Sequence, residues 1–125
     1  MRKLRVLILD DSEIVLKMTA SALEQEGFEV FRASSLAEFD AVLTGNEPDI
    51  ILTDIQMPET AGNNVCRLLK QKLEKLVPIV LFSTLNEKEL ASMAEKAGAD
   101  GYVSKNSGTG EIAKRISALC QEIVF

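Results

Sequence analysis

The sequence predicts an α/β sandwich, a mostly parallel sheet with helices on both faces. Three observations carry that reading. Short, nearly continuous apolar runs recur along the chain, as strands covered on both faces require. Helical patterns of suitable length separate them. The β-α unit repeats five times with no linker, internal repeat or low-complexity segment. Such alternation implies right-handed crossovers between parallel strands.

Taken in order, residues 4–9 (LRVLIL) form the first strand, and Ser12 stands where it can cap a helix of about 13–26. Residues 28–33 (FEVFRA) are more mixed, which suits an edge strand. Ser35 followed by Glu38 has the spacing of a capping box opening a helix near 36–44. Residues 49–53 (DIILT) are apolar enough for a central strand. Val65, Leu69 and Leu73 then keep one face of a third helix. Residues 78–82 (PIVLF) form the fourth strand, and Leu90, Met93 and Ala97 mark a helix ending at Gly98. The short segment 101–104 (GYVS) reads as the other edge strand. Ile112, Ile116, Leu119 and Ile123 stripe a last helix of about 108–123, with Ser107 or Thr109 as its cap.

Composition removes several function classes. At 125 residues the chain is expected to be one domain, 1–125, able to bury a core without staples. Apolar residues make up 46% and charged residues 26%, ordinary globular values. No apolar run approaches the ~18 residues of a membrane span, and the N-terminus does not read as a signal peptide, so the expected setting is cytoplasmic. The net charge is −5 with no dense basic run, which argues against a direct nucleic-acid surface. Cys66 and Cys120 lack metal or redox spacing and read as ordinary thiols of a reducing compartment. The chain holds no His, so it has no imidazole base, His-ligated metal or phosphohistidine of its own.

The candidate site follows from topology. In an open parallel sheet, ligands bind outside the carboxyl ends of the strands. The first strand runs into Asp10-Asp11, the third into Asp54, the fourth into Ser83-Thr84 and the fifth into Ser104-Lys105. Any one of these is ordinary loop chemistry. Together they bring three carboxylates, a hydroxyl and an amine to one edge. Two unit charges ~4 Å apart repel by ~4 kcal/mol at an effective dielectric of ~20, so such a cluster calls for protons or a cation. Oxygen ligands alone suit a hard divalent ion, Mg²⁺ first. A partly open ion of this kind can hold a phosphoryl group, and a neighbouring carboxylate can act as nucleophile.

With these residues in place, the sequence resembles the receiver domains of two-component response regulators. The resemblance runs over essentially the whole chain, through Asp10-Asp11, Asp54 with Met57-Pro58 and Gly62, Ser83-Thr84, Tyr102 and Lys105. It implies a flavodoxin-like (βα)5 three-layer sandwich of five parallel strands in the order 2-1-3-4-5, an order that the pattern alone does not give. It further implies Asp54 as phosphoacceptor and Mg²⁺ (or Mn²⁺) held by Asp11, Asp54 and the backbone of Gln56, with Asp10 acting through water. Lys105 would hold the phosphoryl group, with Ser83 as its catalytic companion, and Ser83 with Tyr102 would form the switch. The implied partners are a sensor histidine kinase or phosphotransfer protein and a downstream protein meeting the face of the fourth helix, fifth strand and fifth helix. A phosphorylation-dependent dimer is a further implied partner state. Such a domain catalyses its own phosphotransfer and dephosphorylation without being a conventional enzyme. Gln56 and Leu85 occupy positions that the family associates with phosphoryl lifetime.

Lys105 is followed by Asn106, whereas the family's lysine is usually followed by proline. A cis bond before a non-proline residue costs about 2.5–4 kcal/mol, so Lys105–Asn106 is expected trans, with Lys105 still aimed at Asp54. Other readings of the architecture are a flavodoxin-like ligand-binding module, an aspartyl phosphohydrolase and a degenerate receiver acting as an unphosphorylated interaction domain. The first wants a glycine-rich phosphate loop, and DDSEI has none. The second wants a substrate cap, and the third is disfavoured by a complete acidic set. The stretch after the fifth helix leaves little room for an output domain, so a free-standing regulator and the front of a longer protein both stay open.

Overall fold

The computed structural model describes residues 3–55, 65–73 and 76–123. Gln56, Met57, Pro58 and Gly62 lie outside the described residues, as does the side chain of Ile123. The elements run β1 (Arg5–Leu9), α1 (Glu13–Gln25), β2 (Glu29–Ala33), α2 (Leu36–Leu43), β3 (Ile50–Asp54) and α3 (Val65–Lys72). They continue with β4 (Ile79–Ser83), α4 (Glu87–Ala97), β5 (Gly101–Ser104), a single 3-10 turn (Lys105–Ser107) and α5 (Thr109–Ile123). All strand pairs are parallel, in the order β2-β1-β3-β4-β5. The two mixed segments are therefore the edges, and the three apolar runs are central.

Period-two alternation in the strands sorts the core into two layers. Val6, Ile8, Ile50, Leu52, Val80 and Phe82 face α1 and α5, where Leu16, Leu23, Ile112 and Ile116 meet them. Leu7, Leu9, Ile51, Ile79 and Leu81 face the other way, against Phe39, Val65, Leu69 and Leu90. Every residue of β3 and β4 is buried, their last residues included. Asp54 and Ser83 therefore stand at the carboxyl edge of the sheet with little exposure of their own.

The caps follow the sequence closely, with two differences. Ser12 Oγ accepts from the Val15 N–H at 3.3 Å. Ser35 Oγ accepts from the Glu38 N–H at 3.1 Å, the forward arm of a capping box. The return arm lands one residue early, because Glu38 takes the N–H and hydroxyl of Ser34 at 2.7 and 2.8 Å. Those bonds, the backbone one first, hold the Glu38 carboxyl below its ordinary range. The second difference concerns α5. It starts at Thr109, and the carbonyl accepting its first helical bond, from the Ile112 N–H at 2.9 Å, belongs to Gly108 rather than to Ser107 or Thr109. Gly108 makes that turn at φ +85°, where a side chain would be strained.

Gly98 ends α4 in the left-handed region at φ +74°, as the sequence expected. Nothing lies within 4 Å of a Cβ built there, so only the backbone resists substitution. Gly98→Ala is expected to destabilise the protein by about 1 kcal/mol in urea titration, with an unchanged slope.

Candidate phosphoryl and metal site

The carboxyl ends of β1, β3 and β5 meet in one acidic pocket. Oxygens of Asp10, Asp11 and Asp54 lie within 4.8 Å of one another. Asp10 and Asp54 are buried and Asp11 is exposed. Lys105 reaches over the C-terminal edge, its Nζ 2.6 Å from Asp10 Oδ2 and 3.2 Å from Asp54 Oδ2. The ammonium also stands 5.2 Å from the centre of the Phe82 ring. Phe82 pairs in register with Asp54, so one strand pair supplies both the acid and the apolar support for its counter-ion.

Asp10 is the most enclosed of the acids, at 0% exposure. Its Oδ1 accepts from the Ser12 N–H at 2.9 Å, which also tightens the turn into α1. Its Oδ2 has the Lys105 ammonium as its one close partner among the described residues, at 2.6 Å. Burial raises the Asp10 pKa above the ordinary carboxylate value, and the Lys105 ammonium only partly offsets this. The pocket therefore holds more negative charge than one lysine relieves. Three carboxylates with oxygens within 4.8 Å of one another, one of them open to solvent, sharing a single ammonium, fit a hard divalent cation.

Two serines close the neighbouring turns. Ser83 is 1% exposed, and its Oγ accepts from the Leu85 N–H at 3.2 Å. Ser104 Oγ accepts from the Asn106 N–H at 3.1 Å and so caps the 3-10 turn that carries Lys105. No peptide bond among the described residues is cis, and Lys105–Asn106 is trans as expected. Tyr102 is half-buried within β5. It lines a cleft of about 470 Å³ with Glu87, Ser107, Glu111 and Arg115, between α4 and α5. The structure thus brings Asp10, Asp11, Asp54 and Lys105 together and sets Ser83 at the end of the adjacent strand.

Sequence reasoning missed Phe82 as part of this neighbourhood, and named Ser104 and Asn106 without the contacts that they make. The Asn106 Nδ2 donates to the Thr84 carbonyl at 2.8 Å, tying the loop after β5 to the loop after β4. The one signal in the sequence was Asn106 standing where proline was expected.

Comparison with known proteins agrees with this geometry. The family model for the response regulator receiver domain matches residues 6–117. The chain belongs to that family. This receiver domain is 32% identical over 115 residues to the phosphate regulon transcriptional regulatory protein PhoB of Pseudomonas aeruginosa, covering 91% of this chain and 50% of the relative. It is 33% identical over 111 residues to the KDP operon transcriptional regulatory protein KdpE of Escherichia coli, covering 89% of this chain and 48% of that one. The chain thus spans about half the length of these curated relatives. Among solved structures it resembles a CheY-like receiver domain protein of Methanospirillum hungatei, with a TM-score of 0.78 and 27% identity, covering 96% of this chain and 95% of the other. The chemotaxis response regulator CheY4 of Vibrio cholerae gives the same TM-score at 24% identity, over 94% of this chain and 98% of that one, and shares the fold. No helix among the described residues is long and apolar enough to cross a membrane.

Proposed function

We propose that this receiver domain, read as one unit over 1–125, is a phosphorylation-dependent switch that accepts a phosphoryl group on Asp54 with Mg²⁺ in a cytoplasmic two-component system. The observation that carries the reading is the meeting of Asp10, Asp11, Asp54 and Lys105 at one sheet edge. Asp11, Asp54 and the backbone of Gln56 would hold the ion, with Asp10 behind them through water. When bound, the ion neutralises charge on the phosphoryl oxygens.

The rest falls to the chain itself. An Asp54 carboxylate oxygen forms a bond to phosphorus as the bond from phosphorus to the donor breaks. With no His in this sequence, a phosphohistidine donor lies outside it, on a sensor kinase or phosphotransfer protein. Lys105 holds its ammonium beside Asp54 and is placed to pair with oxygens of the incoming group. Ser83 Oγ accepts from the Leu85 N–H in this state, and its own O–H is placed to donate to a phosphoryl oxygen after a local shift. The cleft beside Tyr102 supports reading α4, β5 and α5 as the face for a downstream protein or a second copy.

Incubation with acetyl phosphate and Mg²⁺ should add one phosphoryl mass, and EDTA should prevent it. Steady multiple turnover on a phosphomonoester would favour a phosphohydrolase instead. Amide shifts on adding beryllofluoride with Mg²⁺ should extend to α4, β5 and α5. Changes confined to the acidic pocket would reject the partner face while leaving the phosphoacceptor reading intact.

A further inference from the structure

The loops after β4 and β5 each have a strand-end serine to fold them. Ser83 closes the turn after β4 through the Leu85 amide, and Ser104 closes the turn after β5 through the Asn106 amide. The Asn106 carboxamide is required by neither turn. It spans 22 residues of sequence to hold the Thr84 carbonyl, and Ser83 and Ser104 are register partners, so the two loops leave the sheet side by side. The bond is exposed, which makes it a weak contributor to stability.

Its position in a longer chain of contacts gives it a different meaning. Asp10 and Asp54 hold the Lys105 ammonium, and Lys105 opens the 3-10 turn. Asn106 is the next residue and grips Thr84. Two residues beyond Thr84, Asn86 caps α4 by accepting from the Glu89 N–H at 2.9 Å. A continuous path therefore runs from the buried acids to the start of α4, with one exposed carboxamide as its only bond between the two loops among the described contacts.

We infer that Asn106 is a positioning residue that couples Lys105 to the loop after β4. A charge change at the acids draws the ammonium to a new place, the 3-10 turn follows, and Asn106 passes the movement to Thr84 and the first turn of α4. This rests on reading the acids as a metal and phosphoryl site. It adds that the link is built from a side chain on the residue after the lysine.

The test is amide chemical-shift mapping of the full chain with Mg²⁺ alone and with Mg²⁺ plus beryllofluoride. In the unaltered protein, responses should appear both at the pocket (Asp10 to Ser12, Lys105) and along Thr84 to Glu89. In Asn106→Ala with Mg²⁺ alone the pocket response should persist, while the Thr84 to Glu89 response falls several-fold; beryllofluoride also reaches this loop through Ser83, so the Mg²⁺ arm decides. Asn106→Asp keeps the size and the backbone bond to Ser104 but turns an acceptor toward the Thr84 carbonyl, and should lose the same response. An undiminished loop response in either variant overturns the coupling. A uniform fall in both regions also overturns it, because Asn106 would then merely support the lysine's turn. Silence throughout in the unaltered protein would instead reject the pocket's proposed chemistry, and the coupling with it.

Discussion

Asp54→Asn is expected to take up no phosphoryl group from acetyl phosphate and Mg²⁺ under conditions that load the unaltered protein. A carboxylate can attack phosphorus because it carries a full negative charge and a free lone pair on oxygen. The amide that replaces it spreads its electrons into the C–N bond and is a poor nucleophile. The exchange is nearly isosteric, and Lys105 keeps its 2.6 Å contact with Asp10, so the fold should survive. Intact-mass measurement of both proteins, with a melting curve as the folding control, checks this. Equal uptake by the variant would move the acceptor elsewhere, with Asp10 and Asp11 the first positions to inspect.

Mg²⁺ should stabilise the folded protein by mass action, by about 2.7 kcal/mol at a hundredfold excess over Kd. The source is the uneven charge balance of the pocket: one ammonium against two buried carboxylates and a third at the surface. Asp11→Ala should remove the response, since it deletes the exposed oxygen donor while leaving both contacts of Lys105 in place. Matched melts in Mg²⁺ and in EDTA at equal ionic strength measure the effect, and identical curves would count against a metal site. Asp10 adds a pH dependence of definite sign. Its folded-state pKa is raised, so between its unfolded and folded values the folded protein binds more protons than the unfolded chain. Metal-free stability therefore falls as pH rises through that interval. Asp10→Asn should be more stable than the unaltered protein in EDTA at neutral pH. The difference should shrink toward acid pH, where the buried carboxyl is protonated.

These predictions draw on features that differ in how plainly the sequence shows them. The central strands were legible because burial on both faces leaves an unbroken apolar run, as in IVLF ahead of Ser83. Asp10, Asp11, Asp54 and Lys105 were legible because parallel topology places every strand's carboxyl end on one edge. The strand order needed resemblance, since periodicity says which faces are covered and not which strands are neighbours. Glu38 bonding Ser34 was hidden by two adjacent serines of equal chemistry. The Gly108 start of α5 was hidden because Ser107 and Thr109 on either side are better capping residues by type. The tie from Asn106 to Thr84 depends on how two loops leave the sheet, which no local pattern reports.

The two cysteines carry a consequence of their own. Cys66 belongs to the core layer under α3 and Cys120 to the opposite layer under α5. Both are buried, and desolvation pushes both thiols up to about 11. Neither forms much thiolate at neutral pH, so an alkylating reagent reacts only when the surrounding layer opens. The molecule thus contains two clocks, one on each side of its sheet. Labelling kinetics followed at each sulfur would show whether the two halves of the core loosen together or in turn.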